Sequence, residues 1–255
     1  NMRLKQLALA TRNLGPTLTL LSDLLNLGRP FRDPQVGVFG LENAVLPIGD
    51  SFLELVSPIA KDASARRFLD SQAADEAGYM VIFESEDVEA DRRRIEDLSI
   101  RIVWEAKIEG AQTIHLHPKD VGGAIVSFDH MTEPGTWLWA GHDWPNETST
   151  KVASLVSGAE ISSLDPSASC NLWQAMIGPG CAATDSGQSL ILDNGGQLYF
   201  VQNKTTNAVG LSGIELELSD PELFTDNAHR LGLTTDDRGG VRAGGLWLRP
   251  RNRDA

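Results

Sequence analysis

The same order of strands and helices is predicted in both halves of this chain. A strand predicted at 4–10 precedes one helix, and a strand predicted at 79–83 precedes another, which runs from about Asp87 to Ser99. In the second half, Asp165-Pro166 and Asp220-Pro221 each start a helix, because Asp is a favoured N-cap residue and Pro suits the first helical position. The repeated order indicates an internal duplication.

Shorter strands, recognised by alternation or by short apolar runs between turn residues, complete this pattern. In the first half they are predicted at Val36–Phe39, Asn43–Pro47, Phe52–Val56, Ile102–Trp104, Thr113–His117 and Ala124–Phe128. In the second half they are predicted at Ser157–Ser162, Ser189–Asp193, Gln197–Val201, Gly213–Leu218 and Gly245–Leu248. The first half therefore follows the order strand, helix, three strands, twice over.

The chain is predicted to contain two modules, at 2–132 and 152–251, joined by a linker at 133–151. The linker has no clear periodicity and contains Pro134, Gly135 and Pro145. It also contains Trp137, Trp139 and Trp144. Exposed tryptophans would form an apolar patch, so the linker is expected to pack against a module.

Composition restricts the possible partners. The net charge is −13 among 255 residues, which argues against binding nucleic acid or an anionic membrane. No apolar run approaches the roughly 20 residues that cross a bilayer, and the N-terminus lacks the apolar core of a signal peptide. The two cysteines, Cys170 and Cys181, fit a reducing compartment. A cytoplasmic location is therefore predicted.

The order βαβββ, repeated within each half, resembles the vicinal oxygen chelate superfamily, which includes glyoxalases, epimerases, dioxygenases and bleomycin-resistance proteins. Within it, the first half is most similar to methylmalonyl-CoA epimerases. The similarity is carried by Ser51-Phe52-Leu53-Glu54-Leu55-Val56-Ser57-Pro58 and by 114–126, which includes His115-Leu116-His117-Pro118-Lys119-Asp120-Val121-Gly122-Gly123. The resemblance implies an α+β fold of tandem βαβββ modules, each forming a cupped mixed sheet with helices outside.

The resemblance also implies four cup-facing ligands for a divalent metal ion in such a module. In the first module these positions fall on Gln6, Glu54, Met80 and Ser127. In the second they fall near Gly158, Phe200, Gly213 and Arg249. Thioether and hydroxyl groups are weak partners for Mg²⁺, Mn²⁺ or Zn²⁺, so no metal and no other cofactor is predicted.

Strand alternation supports a pocket without reference to the family. Ile114 and Leu116 are expected to face the helices, which places His115 and His117 on the cup side. The same alternation places the four family positions of the first module on that side. Apolar walls with a few convergent polar groups are typical of a small-molecule pocket.

Three functions remain open at this stage. In the first, Glu54 is a general base and His115 an acid or electrophile, in an isomerase or lyase that transfers a proton next to a carbonyl group without a metal. In the second, the cup binds or sequesters a small molecule without chemistry, and Trp139 with its neighbouring tryptophans covers a flat ligand. In the third, the ligand mapping is wrong and the protein is a metal-dependent epimerase or dioxygenase. Gln6, Met80, Ser127, His117 and Trp139 are predicted to bind the ligand, and exposed sheet edges make a homodimer a further expectation.

Overall fold

The computed structural model describes residues 1–203 and 209–252. In the first half the strands are β1 (Met2–Thr11), β2 (Leu41–Ile48), β3 (Ser51–Pro58), β4 (Glu76–Ser85), β5 (Ile102–Ile108), β6 (Ala111–Leu116) and β7 (Ile125–Met131). The helices are α1 (Leu14–Leu25), α2 (Ser64–Gln72), α3 (Val88–Asp97), α4 (Pro118–Val121) and, in the linker, α5 (Trp144–Glu147).

In the second half the strands are β8 (Ala153–Ser163), β9 (Cys181–Ala183), β10 (Ser189–Leu192), β11 (Gln197–Gln202), β12 (Gly210–Leu218), β13 (Val241–Ala243) and β14 (Leu246–Pro250). The helices are α6 (Pro166–Ile177) and α7 (Pro221–Arg230). Asp165 and Asp220 cap these two helices as predicted, since each side chain accepts the backbone N–H three residues later.

The strands form two seven-stranded mixed sheets, in the orders β2-β3-β1-β4-β7-β6-β5 and β13-β14-β12-β8-β11-β10-β9. The predicted α+β class with mixed sheets is therefore confirmed. The prediction of a strand at Val36–Phe39 is wrong, because Pro34–Phe39 is a 3₁₀ helix capped by the side chain of Asp33. Helix α2 and the three-residue strands β9 and β13 were not predicted.

The chain divides into two compact units, and each contains parts of both halves. Unit A comprises Asn1–Lys5, Met80–Leu138 and Gly158–Ser212. It holds the strand series β4-β7-β6-β5 and β8-β11-β10-β9. In each series a long helix, α3 or α6, follows the first strand and precedes the other three strands. The predicted module limits at 2–132 and 152–251 stay a prediction.

Unit B comprises Gln6–Tyr79, Trp139–Ser157 and Gly213–Ala255. It holds the shorter series β2-β3-β1 and β13-β14-β12. Both series of unit B have only two strands after the helix, so the order of three strands predicted for them is wrong. The two halves meet inside this unit, where Asn227 Nδ2 donates to Leu24 O at 3.0 Å and Val156 N donates to Ser51 Oγ at 2.8 Å.

Trp173 on α6 lies at the centre of the core of unit A. It is 1% exposed, and its ring meets Phe83 of the first half at 6.5 Å and Phe200 of the second half at 5.7 Å. Its indole Nε1 donates to Val121 O at 2.9 Å. A buried indole with its N–H satisfied combines a large apolar area with no unpaired donor, so Trp173 ties the two halves together.

Among the described residues, no helix is both long enough and apolar enough to span a bilayer.

Candidate functional site

The predicted residues Gln6 and Glu54 meet in unit B. They lie on the parallel strands β1 and β3, which are paired with Gln6 opposite Phe52 and Ala8 opposite Glu54. Gln6 Nε2 donates to Glu54 Oε1 at 3.2 Å, and both side chains are buried, at 1% and 7% exposure. A carboxylate so far from water requires hydrogen-bond donors, and Gln6 supplies one of them.

Asn43 on β2 supplies a second donor. Its Nδ2 donates to Glu54 Oε2 at 2.8 Å, while its Oδ1 accepts the backbone N–H of Asp33 at 2.8 Å. Because Asp33 N can only donate, it fixes which end of the Asn43 amide faces Glu54. Both oxygens of Glu54 therefore receive amide N–H groups, and the carboxylate is held in one orientation.

Tyr79 lies within electrostatic reach of this carboxylate. Desolvation raises the pKa of the buried Tyr79 hydroxyl, and the negative charge of Glu54 raises it further. Ser64 is close to the same hydroxyl, with 3.5 Å between the oxygens, and acts in the opposite direction. Tyr79 therefore remains a neutral hydroxyl near Glu54 at physiological pH.

The predicted residues His115 and Ser127 meet in unit A. They are direct partners on the antiparallel strands β6 and β7, and Trp104 on β5 is the partner of His115 on its other side. Directly opposite residues in antiparallel strands point to the same face. Trp104, His115 and Ser127 therefore form a row of an aromatic ring, an imidazole and a hydroxyl across three strands.

Burial governs the charge of His115. Part of the residue surface stays accessible, yet protein atoms surround the ring densely enough that desolvation lowers the pKa of His115 to about 4. The imidazole is therefore neutral at physiological pH. A neutral imidazole has one N–H donor and one acceptor nitrogen, so it can polarise a carbonyl group or accept a proton without carrying charge beforehand.

Asp129 organises the hydroxyl groups beside His115. Its Oδ1 accepts from Thr113 Oγ1 at 2.6 Å and from Ser127 Oγ, and the three residues are at most 5% exposed. The hydrogen of Ser127 is thereby directed at Asp129, and the Ser127 oxygen lies 3.1 Å from Thr113 Oγ1.

The remaining predicted residues occupy different surroundings. Met80 is a buried residue of β4, paired with Ile125 of β7. His117 Nδ1 accepts the backbone N–H of Lys119 at 3.1 Å and so caps α4. Trp139 lies half-buried in the 3₁₀ helix Leu138–Ala140 of the linker. Ligand binding by these three residues stays a prediction.

The donor groups do not fit the metal ion that the fold implies. The two Glu54 oxygens face amide N–H groups, and the Ser127 hydroxyl donates to Asp129. Met80 offers only a thioether, a soft ligand unsuited to Mg²⁺ or Mn²⁺. Across residues 1–203 and 209–252, no group of three or more His, Cys, Asp and Glu side chains could hold a metal ion.

Phe200, one of the metal-ligand positions that the resemblance implies for the second module, faces α6 and not the cup. Phe200 is 2% exposed, and its ring packs edge-on against Trp173 of α6. Since successive residues of a strand point to opposite faces, Tyr199 and not Phe200 points away from α6 on β11.

The sequence-based reasoning missed Asn43, Asp129, Tyr79 and Trp104. Asp129 shares the alternation of Ser127, so that pattern contained a signal for its position. Trp104 was placed on a strand, but its pairing with His115 depends on the register of β5 and β6. For Asn43 the decisive fact is its hydrogen bond to Glu54, which no local pattern encodes.

Comparison with known proteins identifies the fold. A mutant of 4-hydroxymandelate synthase from Streptomyces coelicolor is similar over 97% of this chain and 91% of its own, with 12% identity and a TM-score of 0.70. A variant of methylmalonyl-CoA epimerase from Streptomyces coelicolor, in complex with 2-nitronate-propionyl-CoA, covers 51% of this chain and 98% of its own, with 21% identity and a TM-score of 0.46. Methylmalonyl-CoA epimerase from Mycobacterium tuberculosis covers 51% of this chain and 89% of its own, with 19% identity and a TM-score of 0.45.

No protein-family model matches the chain, and no curated protein matches it at a significant level. The full-length structural similarity shows that this protein has the vicinal oxygen chelate fold in tandem form, as the sequence predicts.

Proposed function

We propose that this protein binds a small polar organic molecule without a metal ion and that Glu54 removes a proton from the carbon next to its carbonyl group. The observation that carries this proposal is the orientation of the Glu54 carboxylate by the amide groups of Gln6 and Asn43. A general base must be held in a fixed position relative to the proton it removes, and two amide donors provide this without a metal ion.

The reaction requires no external oxidant. The C–H bond breaks, its proton passes to a Glu54 oxygen, and its electron pair enters an enolate. Return of the proton to carbon gives an isomerase, whereas loss of a neighbouring leaving group gives a lyase. For His115, in unit A, the proposed role is taken by itself: its neutral imidazole donates a hydrogen bond to a carbonyl or enolate oxygen of a ligand.

A second candidate is binding without chemistry, in the manner of bleomycin-resistance proteins. It is favoured by the fact that both Glu54 oxygens already have protein partners. Such a carboxylate has its hydrogen-bonding needs met without a ligand. Its role would then be to hold the side chains of Gln6 and Asn43 in place in the wall of a binding site.

Deuterium exchange distinguishes the two candidates. Pyruvate, 2-oxobutyrate and acetoacetate would be incubated with the protein in D₂O, and loss of the proton next to the carbonyl followed by NMR. If Glu54 transfers the proton, wild type should exchange it faster than buffer alone does. Glu54→Gln should then show the same rate as buffer alone. Glu42→Gln is the matched control, since Glu42 is an exposed carboxylate on β2 beside Asn43.

Ligand-induced thermal stabilisation without accelerated exchange would support binding alone. If no member of the panel either exchanges or stabilises the protein, small carbonyl acids are not its ligands, and the proposal in this form is wrong.

The homodimer and the cytoplasmic location also remain proposals. The first is supported by the edge strand β5, where Val103 and Trp104 are 49% and 41% exposed.

A further inference from the structure

A cleft of about 210 Å³ lies within unit B, and Gln6, Asn43 and Glu54 are not among its lining residues. It forms where the Trp-rich linker packs against 29–31 and β2. Its lining residues are Arg29, Pro30, Phe31, Pro47, Ala140, Gly141, His142, Asp143, Trp144 and Glu147. The sequence-based reasoning assigned this region only a covering role.

The apolar walls of the cleft are fixed by the fold. Phe31 exchanges both backbone hydrogen bonds with Val45, at 2.9 and 2.8 Å. Gly141 has φ +75°, and a Cβ there would lie 2.7 Å from the Phe31 ring, so glycine lets the linker backbone approach that ring. The Trp144 ring meets Phe52 edge-on at 5.1 Å. Phe31 and Trp144 are therefore held as two aromatic walls.

The rim of the cleft is charged, with an excess of carboxylates. Arg29 Nη2 lies 3.1 Å from Glu147 Oε1 and 3.9 Å from Asp143 Oδ2. Asn146 Nδ2 donates to Asp143 Oδ1 at 2.6 Å, which orients that carboxylate. One guanidinium thus faces two carboxylates, in a chain whose net charge is −13. Both the rim and the overall field favour a cationic ligand.

We propose that this cleft binds a compact organic cation that carries a single ring. A cavity of about 150 Å³ with an apolar lining accommodates benzene. A cleft of about 210 Å³ therefore accommodates one ring with a short substituent. The ring packs on Phe31 and Trp144, and the ammonium group pairs with Asp143 beside the face of an aromatic ring.

Isothermal titration calorimetry with benzylamine tests this site. Phenylacetate and benzyl alcohol are the matched probes, since they keep the ring but carry a negative charge or none. We expect benzylamine to bind at millimolar concentration or below, and about fivefold more tightly than benzyl alcohol. We expect no binding of phenylacetate. Absence of benzylamine binding, or equal binding of all three probes, would overturn the proposal.

Two variants locate the site. Asp143→Asn should weaken benzylamine binding about fivefold, because the charge of the pairing partner is lost. Asp237→Asn removes an exposed carboxylate elsewhere in unit B and should leave binding unchanged. Equal effects of the two substitutions would overturn the assignment.

A third measurement does not depend on any variant folding. With the wild-type protein, benzylamine affinity should fall as sodium chloride is raised, because the charge pairing is exposed to screening at the rim. An affinity independent of salt would contradict the pairing with Asp143.

Discussion

Asn43 donates its side-chain amide to Glu54 Oε2 at 2.8 Å, and the two residues are only 2% and 7% exposed. This hydrogen bond joins β2 to β3 on the face that carries the candidate base. The second Glu54 oxygen, Oε1, accepts from Gln6 Nε2 on β1, so the carboxylate links three strands.

Asn43→Asp places a second carboxylate beside Glu54. Two carboxylates at hydrogen-bond distance share one proton, which raises the pKa of the pair in the folded variant. A raised folded-state pKa gives stability that is present at acid pH and lost as pH rises through it. We expect the variant to be destabilised by about 1–3 kcal/mol at pH 7 and by less near pH 5, in urea unfolding. Wild type over the same pH range is the control.

Glu54→Ala leaves the amide donors of Gln6 and Asn43 without their acceptor. A buried donor without a partner costs about 1–3 kcal/mol, so we expect a loss of that size in the free energy of unfolding. Glu42→Ala, an exposed residue on the same hairpin, should change it by at most about 0.5 kcal/mol. Equal losses in the two variants would show that Glu54 is not the acceptor that holds the cluster.

The burial of His115 predicts a pH dependence of stability. Its pKa falls from 6.5 to about 4 in the folded protein, so between these values the unfolded state binds more protons. Stability is therefore greatest above pH 6.5 and is lost as pH falls towards 4, by up to about 3 kcal/mol, since one pKa unit corresponds to about 1.4 kcal/mol. The free energy of unfolding would be measured against pH for wild type and for His115→Gln. Wild type should show this dependence, and the variant should show a smaller one. Identical profiles would mean that His115 is not the titrating group.

Trp173→Phe removes the hydrogen bond to Val121 O and part of the ring surface between Phe83 and Phe200. We expect a loss of about 1–3 kcal/mol in the free energy of unfolding. Trp104→Phe is the matched control, because Trp104 is 41% exposed and should change stability by at most about 0.5 kcal/mol. A small effect at Trp173 would contradict its place at the centre of the core of unit A.

The sequence predicted the fold class because the duplication and the Asp-Pro helix starts are local signals. It failed at 36–39, where an apolar pattern typical of a strand follows Pro34, and the Asp33 cap instead favours a 3₁₀ helix. It also missed α2, whose only buried residues are Ala65 and Leu69, because so few apolar positions give a weak sequence signal.

The candidate site was predicted only in part. Strand alternation placed a single set of side chains, Gln6, Glu54, Met80, His115 and Ser127, on one cup face. The structure brings Gln6 to Glu54 and pairs His115 with Ser127, and a single pocket around all five stays a prediction. The partners that determine their chemistry, Asn43 and Asp129, depend on sheet register and on hydrogen bonds between strands, which a single sequence does not encode locally.

Whether Glu54 acts without an ion is decided by the metal content of the protein, measured by elemental mass spectrometry after purification without chelator. It is paired with deuterium exchange into the carbonyl panel before and after treatment with EDTA. We expect no stoichiometric divalent metal, and we expect Glu54-dependent exchange that survives the chelator. One equivalent of metal that is lost in Glu54→Gln, together with exchange abolished by EDTA, would contradict this expectation.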